Sequence, residues 1–336
     1  MGSRRRIRNI TEMAQLAGVS AGTVSRALAD NSLISKKTRD RIQALAREHG
    51  FRPNILARNL RIRRAGAVGV LIPLGHELNQ HVSDPFFITM LGHLADALTE
   101  RGQDLLLSRV IPSDPDWLRA FVDSGRVDGV IVVGQSNQSH VIDQVAASYR
   151  PMVVWGANLP DKTHCTVGTD NVRGGEIATQ HLIERGCRRP LFFGDPSAPE
   201  IADRYAGFCQ ATIAAGLGAP EAVPVPLAAE IAYPTICTWL DEGNPVPDGI
   251  FAASDVIAVS AMRALMERGH SVPDQVRIVG YDDLAIAAHT IPPLTSIRQD
   301  LLAASAHMVD MLFRRMSGED TESVVLEPVL VVRGST

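Results

Sequence analysis

The sequence predicts two unlike parts, a small all-α head built around a helix-turn-helix and a larger α/β body of two Rossmann-like lobes. Three observations predict it. At roughly 100–200 residues per domain, 336 residues are too many for one small core. The charges are sorted along the chain: residues 1–64 hold fifteen Arg or Lys against four acids, a net +11, while residues 65–336 hold eighteen against thirty-three, a net -15. Hydrophobic periodicity also changes near Ala65, from short helical stripes to apolar runs alternating with helices.

Composition narrows the class. Apolar residues make up 45% and charged residues 21%, which suits a protein with sizeable buried cores and excludes collagen-like or disordered chains. The longest apolar runs, such as Ala67–Ile72 and Gly129–Val133, are far shorter than the roughly 18–20 residues a membrane span needs. No apolar segment follows the Arg4–Arg8 cluster, so a signal peptide is not expected and a cytoplasmic, nucleoid-associated location is. Cys165, Cys187, Cys209 and Cys237 have neither zinc nor redox-pair spacing and read as reduced. A basic head on an acidic body is the footprint of a polyanion-binding module joined to a different task, with a merely solvated basic arm as the alternative.

The pattern inside the head decides between them. Met13, Leu16 and Ala17 fall at helical spacing, as do Val24, Ala27 and Leu28, with Gly18-Val19 between the two stretches. Ser20 is a good N-cap for the second helix, and Val19 with Val24 can staple its entry. A third helix is expected from near Ser35 to Gly50, with Ile42, Leu45 and Ala46 on one face. Two helices around a Gly-containing turn on a basic segment match a helix-turn-helix whose second helix enters the major groove. Its front is Ala21, Gly22, Ser25 and Arg26, where Arg26 can donate two parallel hydrogen bonds to guanine; a plain phosphate contact is the alternative.

Beyond Ala65, strands are expected at Ala67–Pro73, Asp104–Leu107, Gly129–Val133, Met152–Trp155, Leu191–Gly194, Gly249–Ala253 and Val276–Gly280, with a helix over Phe87–Arg101. That alternation predicts parallel sheets, and its length predicts two lobes with a ligand between them. No catalytic motif survives inspection. G-x-G-x-x-G and the phosphate-binding loop are absent, and Gly18–Gly22 spells G-x-S-x-G between two helices rather than between a strand and a helix. His76 and His81 are five residues apart, where one helical face needs four, so that string reads as a polar loop. No metal, cofactor or enzymatic activity is expected.

The run from Asn9-Ile10-Thr11 to Val19-Ser20, then Thr23–Arg26, Arg52-Pro53-Asn54 and Ala57–Leu60, resembles the lactose-repressor (LacI/GalR) family of bacterial transcriptional regulators. The resemblance continues through Asp84–Phe87, Val127–Gly129, Thr169–Asn171 with Gly174-Gly175, Asp203–Phe208, Ser254-Asp255, Gly280–Asp283 and Pro292–Ile297. It implies a DNA-binding domain over residues 1–50, a hinge helix over 51–64 and a periplasmic-binding-protein-like effector domain over 65–336. The first lobe would be residues 65–161 with 297–320 and the second 162–295 with 321–336, the chain crossing near Asp161, Ser296 and Thr321. The implied DNA-binding set is Ser20, Ala21, Gly22, Thr23, Ser25, Arg26, Asn54, Arg58 and Leu60, the last wedging between base pairs in the minor groove.

The same resemblance implies ligand contacts at Phe86, Phe87, Arg204, Ser254, Asp255 and Asp282. Arg204 and Asp282 can grip adjacent sugar hydroxyls, and Trp155, at a strand end, reads as a stacking platform, with a core tryptophan as the alternative. Many members carry an acid just after that strand, where this chain has Gly156 and Ala157. The function implied is a homodimeric repressor of a carbohydrate-utilisation operon, released from a palindromic operator by a mono- or disaccharide. A purine- or sugar-acid-responsive regulator acting with a co-repressor is the alternative.

Overall fold

Three helices form the first unit of the computed structural model, which describes residues 7, 9–51, 64–74, 80–112, 114–135, 137–159 and 161–336. The chain divides into units Met1–Ala65 and Gly66–Thr336. In the first, α1 (Ile10–Ala17), α2 (Ala21–Leu28) and α3 (Lys36–Glu48) each start at a polar cap. Asn9, Ser20 and Ser35 accept from the backbone N–H of Glu12, Thr23 and Thr38, each cap contributing about 1 kcal/mol. α1 stops at Gly18, whose φ of 63° suits a residue without a Cβ, and α2 begins three residues later. Met13, Ala14, Ala17, Val24, Ala27, Ile42, Ala46 and Phe51 form the core. Leu16 departs from the expected stripe and is 46% exposed. The inward face of α1 runs Ile10, Met13, Ala14, Ala17, and Leu16 lies about 100° away from Ala17 around the helix.

The body begins with β1 (Ala67–Pro73), α4 (Pro85–Glu100), β2 (Asp104–Val110), α5 (Trp117–Val122), β3 (Gly129–Val133), α6 (Ser139–Ala146), β4 (Met152–Trp155) and β5 (Thr166–Thr169). It continues through α7 (Asn171–Glu184), β6 (Pro190–Phe193), α8 (Pro199–Ala214), β7 (Ala222–Val223), α9 (Ala229–Asp241), β8 (Gly249–Ala252), α10 (Asp255–Glu267), β9 (Arg277–Asp282) and β10 (Thr295–Arg298). Then α11 (Leu301–Met316) and β11 (Val324–Leu326) precede a final β12 (Val329–Val331). One sheet has the order β2-β1-β3-β4-β5-β11, all parallel; the other runs β7-β6-β8-β9-β10-β12, with only β12 antiparallel. Both therefore reverse winding direction after their second strand, and clefts open beyond the strand ends at such switch points.

Alternation along the first sheet builds two cores. Val68, Val70 and Ile72 of β1 face Met90 and Leu94 of α4 and Met308 and Leu312 of α11. Leu71 faces the opposite side with Leu118, Phe121 and Ile142 of α5 and α6. A third core fills the second lobe around Phe192, Phe208, Phe251 and Tyr281.

The lobe boundaries correct the expectation. β5 pairs with β4 and β11, so the chain leaves the first sheet after Thr169 rather than near Asp161. It returns after Arg298 and crosses last between Leu326 and Val329, rather than near Thr321. β5 and β11 are only four and three residues long, and their short runs lack the alternation that marks longer strands. All four cysteines are free thiols.

Candidate functional site

In the head, α2 carries the residues expected to meet DNA. Arg26 is exposed, and Ala21, Gly22, Thr23 and Ser25 are partly so. The Ser20 hydroxyl accepts from Thr23 N at 3.1 Å and lies 2.9 Å from Thr23 Oγ1. Those two side chains thus shape the helix start. A Cβ at Gly22 would sit 3.4 Å from Arg26 Nη2, so the guanidinium overhangs the bare backbone of the first turn. Asn54, Arg58 and Leu60 of the expected hinge lie outside the described residues, as do His76 to Asn79 of the polar string.

In the body, a cleft with about 740 Å³ of free space, counting its open mouth, lies at the strand ends of both sheets. Its first-lobe wall contains Pro73 and Leu74 at the end of β1, Val133 and Gly134 at the end of β3, and the aromatic pair Phe86 and Trp155 with ring centroids 6.2 Å apart. Phe87 also lines it while anchoring α4 in the core. Trp155 does both jobs as well: it lines the cleft and belongs to the core, so the two readings of this residue are compatible. Asp84 caps α4 by accepting from Phe86 N at 2.9 Å and accepts from Gln80 Nε2 at 3.2 Å.

The second-lobe wall comprises Ala198, Glu200, Ile201 and Arg204 at α8, Ser254 and Val256 at the start of α10, Leu227, and Asp282 at the end of β9. Arg204 is held in place before any ligand is considered. Its Nε donates to Asn171 Oδ1 at 2.9 Å, its Nη1 to Ala253 O at 2.5 Å, and its guanidinium lies 3.7 Å over the Tyr281 ring. Nη2 is 4.0 Å from Asp282 Oδ1, which accepts from Gln299 Nε2 at 2.7 Å. Gln299 is the first residue after β10, so the second crossing touches the site directly. Burial raises Asp282 to about 7, against the pull of Arg204. Its φ of 111° is a strained conformation for a residue with a Cβ.

Asp255 does not line the cleft. Its side chain is fully buried, Oδ1 accepting from Ser296 Oγ at 2.6 Å and Oδ2 from Leu284 N at 2.7 Å. A Cβ at Gly280 would be 2.3 Å from Oδ1, so the glycine makes room for the carboxyl. Burial, then the Asp282 charge, holds Asp255 well above the ordinary carboxylate range. The preceding residue, Ser254, caps α10 and faces the cleft; one residue on, the helix turns its side chain beneath the loop after β9.

Three polar lining residues escaped the sequence reading of ligand contacts: Gln80, Asp84 and Glu200. Asp84 and Glu200 sit at the starts of helices that follow the first strand of each sheet, which is the available signal. Glu200 Oε1 accepts from Ala157 N at 3.2 Å, joining the second lobe to the first.

Residues 9–54 match the description "Bacterial regulatory proteins, lacI family", and residues 179–336 match a periplasmic binding protein-like domain. The chain is 33% identical to the HTH-type transcriptional regulator CelR of Thermobifida fusca, over 99% of both proteins. Among solved structures, it resembles the transcriptional regulator CelR-cellobiose complex at 30% identity and a TM-score of 0.70, covering 98% of this chain and 100% of that one. It also resembles the Lac repressor bound to ONPG in the repressed state at 25% identity and a TM-score of 0.80, over 99% and 100% of the two chains. With a capped helix-turn-helix at one end, a two-sheet effector fold at the other and a relative matched along its whole length, the chain belongs to the lacI family of bacterial regulatory proteins.

Proposed function

We propose that this DNA-binding transcriptional regulator is a homodimeric, cytoplasmic repressor, released from a palindromic operator when a neutral mono- or disaccharide enters the cleft between its lobes. The cleft carries the reading. Phe86 and Trp155 offer apolar faces on which a sugar ring can stack, while Asp84, Glu200, Arg204 and Asp282 offer hydrogen-bonding groups around them. The solved relative named for its cellobiose complex supports the same class.

Charge favours a neutral sugar over a sugar acid or phosphate. Among the described lining residues Arg204 is the sole cation, and it already serves Asn171, Ala253 and Asp282. A ligand anion would meet the carboxylates of Asp84 and Glu200, against which Arg204 is a single cation. The expected role is binding rather than catalysis. A sugar shifts the equilibrium between lobe arrangements only by its unequal affinity for them, and that difference sets operator affinity. Two recognition helices reading half-sites about one turn or a fixed spacing apart call for a dimer and a two-fold operator.

Melting of the full chain against neutral mono- and disaccharides, sugar acids, sugar phosphates and purines tests this. A ligand at 100 times its dissociation constant adds about 2.7 kcal/mol, a rise of several degrees. The proposal expects that rise from a neutral sugar. A rise from a purine or an anion alone would replace it with the co-repressor reading.

A further inference from the structure

The acid missing after β4 has a counterpart on the opposite wall. Glu200 lies in the first turn of α8, directly after Pro199, and its carboxylate reaches Ala157 N in the first lobe at 3.2 Å. Gly156 makes that reach possible: a Cβ there would sit 2.7 Å from Glu200 Oε1 and 2.7 Å from Gln135 Nε2. A side chain at 156 and the Glu200 contact therefore exclude each other.

Ala157, whose N–H donates to Glu200, has its carbonyl held from behind by a buried polar chain. Gln135 Nε2 donates to Ala157 O at 2.6 Å, and Gln135 Oε1 lies 3.1 Å from His164 Nε2. His164 Nδ1 lies 2.6 Å from Asp143 Oδ1, which also accepts from Thr163 N at 2.8 Å. Gln135 is fully buried and His164 nearly so. Gln135, packed against His164, grips the Ala157 carbonyl, so the residue whose N–H meets Glu200 is positioned by side chains that do not themselves line the cleft.

We propose that Glu200 and the Ala157 N–H form a clasp across the cleft, and that Glu200 is a specificity-determining residue whose carboxylate accepts from a ligand hydroxyl and turns anionic ligands away. The second half rests on the neutral-sugar reading above; the clasp does not. A carboxylate has about four acceptor positions, so one oxygen can keep Ala157 while the other takes a hydroxyl. A ligand carboxylate or phosphate placed there has no proton to share and meets like charge.

Two variants of the full chain separate the halves. Glu200→Gln keeps an oxygen for Ala157 N–H but loses the charge; Glu200→Ala loses both. Amide hydrogen exchange over residues 153–159 is expected to be at least about tenfold faster in E200A and within about threefold of the wild type in E200Q, with both variants melting near the wild type. Unchanged exchange in E200A overturns the clasp whatever the ligand. For selectivity, D-glucose, cellobiose and D-glucuronate are the probes, read by melting. E200Q is expected to bind D-glucuronate at least about tenfold more tightly than the wild type does while losing affinity for the neutral sugar. If a neutral sugar stabilises the wild type and E200Q gains nothing for D-glucuronate, Glu200 does not select against anions. If no sugar stabilises the wild type, the neutral-sugar reading and the selectivity fall together, and exchange alone judges the clasp.

Discussion

Asp282 shows how much of this site is decided by single residues. It ends β9, adopts a positive φ, faces the cleft and is almost fully buried between Arg204 and Gln299. A carboxyl whose ordinary value is about 3.9 and whose folded value is raised to about 7 keeps in the fold a proton that the unfolded chain has released. Its contribution to stability is therefore fully present below about pH 4 and lost as pH rises through about 7. Asp282→Asn removes this dependence. The variant should melt higher than the wild type at pH 8, with the gap closing towards pH 5, as thermal melts across that range would record. A gap that widened on acidification would show that Asp282 is ionised and stabilising in the fold. Sequence reading placed Asp282 in the site through the Gly280–Asp283 motif, but gave Asp255 the same role. The difference is one of direction: both are acids next to motif residues, and only the fold shows that Asp255 turns inward to Ser296 and Leu284.

At the scale of elements, glycines that looked like family marks turn out to be packing devices. A Cβ at Gly175 would lie 2.1 Å from Arg204 O, and one at Gly207 would lie 2.0 Å from Val172 O. α7 and α8 therefore cross with their backbones in contact, and this crossing sets where Arg204 stands, less than one turn from Gly207. Gly207→Ala forces the helices apart. Overpacking of this kind costs about 1–3 kcal/mol, so the variant should melt several degrees lower and bind its sugar at least about tenfold more weakly, measured by melting and titration calorimetry. Normal sugar affinity in a destabilised protein would show that the crossing does not position Arg204. In the head, Ser20→Ala removes the α2 cap, which should lower head stability by about 1 kcal/mol and weaken operator binding without changing the preferred sequence. A changed sequence preference would make Ser20 a base reader instead of a cap. Strands buried on both faces were legible as unbroken apolar runs: β1, β3 and β4 have the expected bounds. β5 and β10 escaped because Thr, Gly, Ser and Arg break their apolar runs, and β11 and β12 because three residues are too few to read; their identity as strands comes from neighbours brought alongside by the fold.

On the scale of the whole molecule, two sheets of the same winding face a common cleft, and three crossings connect them. The sorted charge that first separated the chain into parts is matched by two separate structural units, Met1–Ala65 and Gly66–Thr336. The basic head implies affinity for a polyanion, and the acidic body limits that affinity to the head, so binding to DNA should be governed by counterion release. The operator release proposed for the effector cleft depends on paired heads that read a two-fold DNA site. Selection of duplexes from a random pool by the full chain, with the affinity of the winners measured at 50 and 200 mM salt, tests it most directly. A palindromic consensus whose affinity falls at least about tenfold across that salt range is the expected result. No enriched sequence, or a consensus bound equally at both salt concentrations, would contradict it.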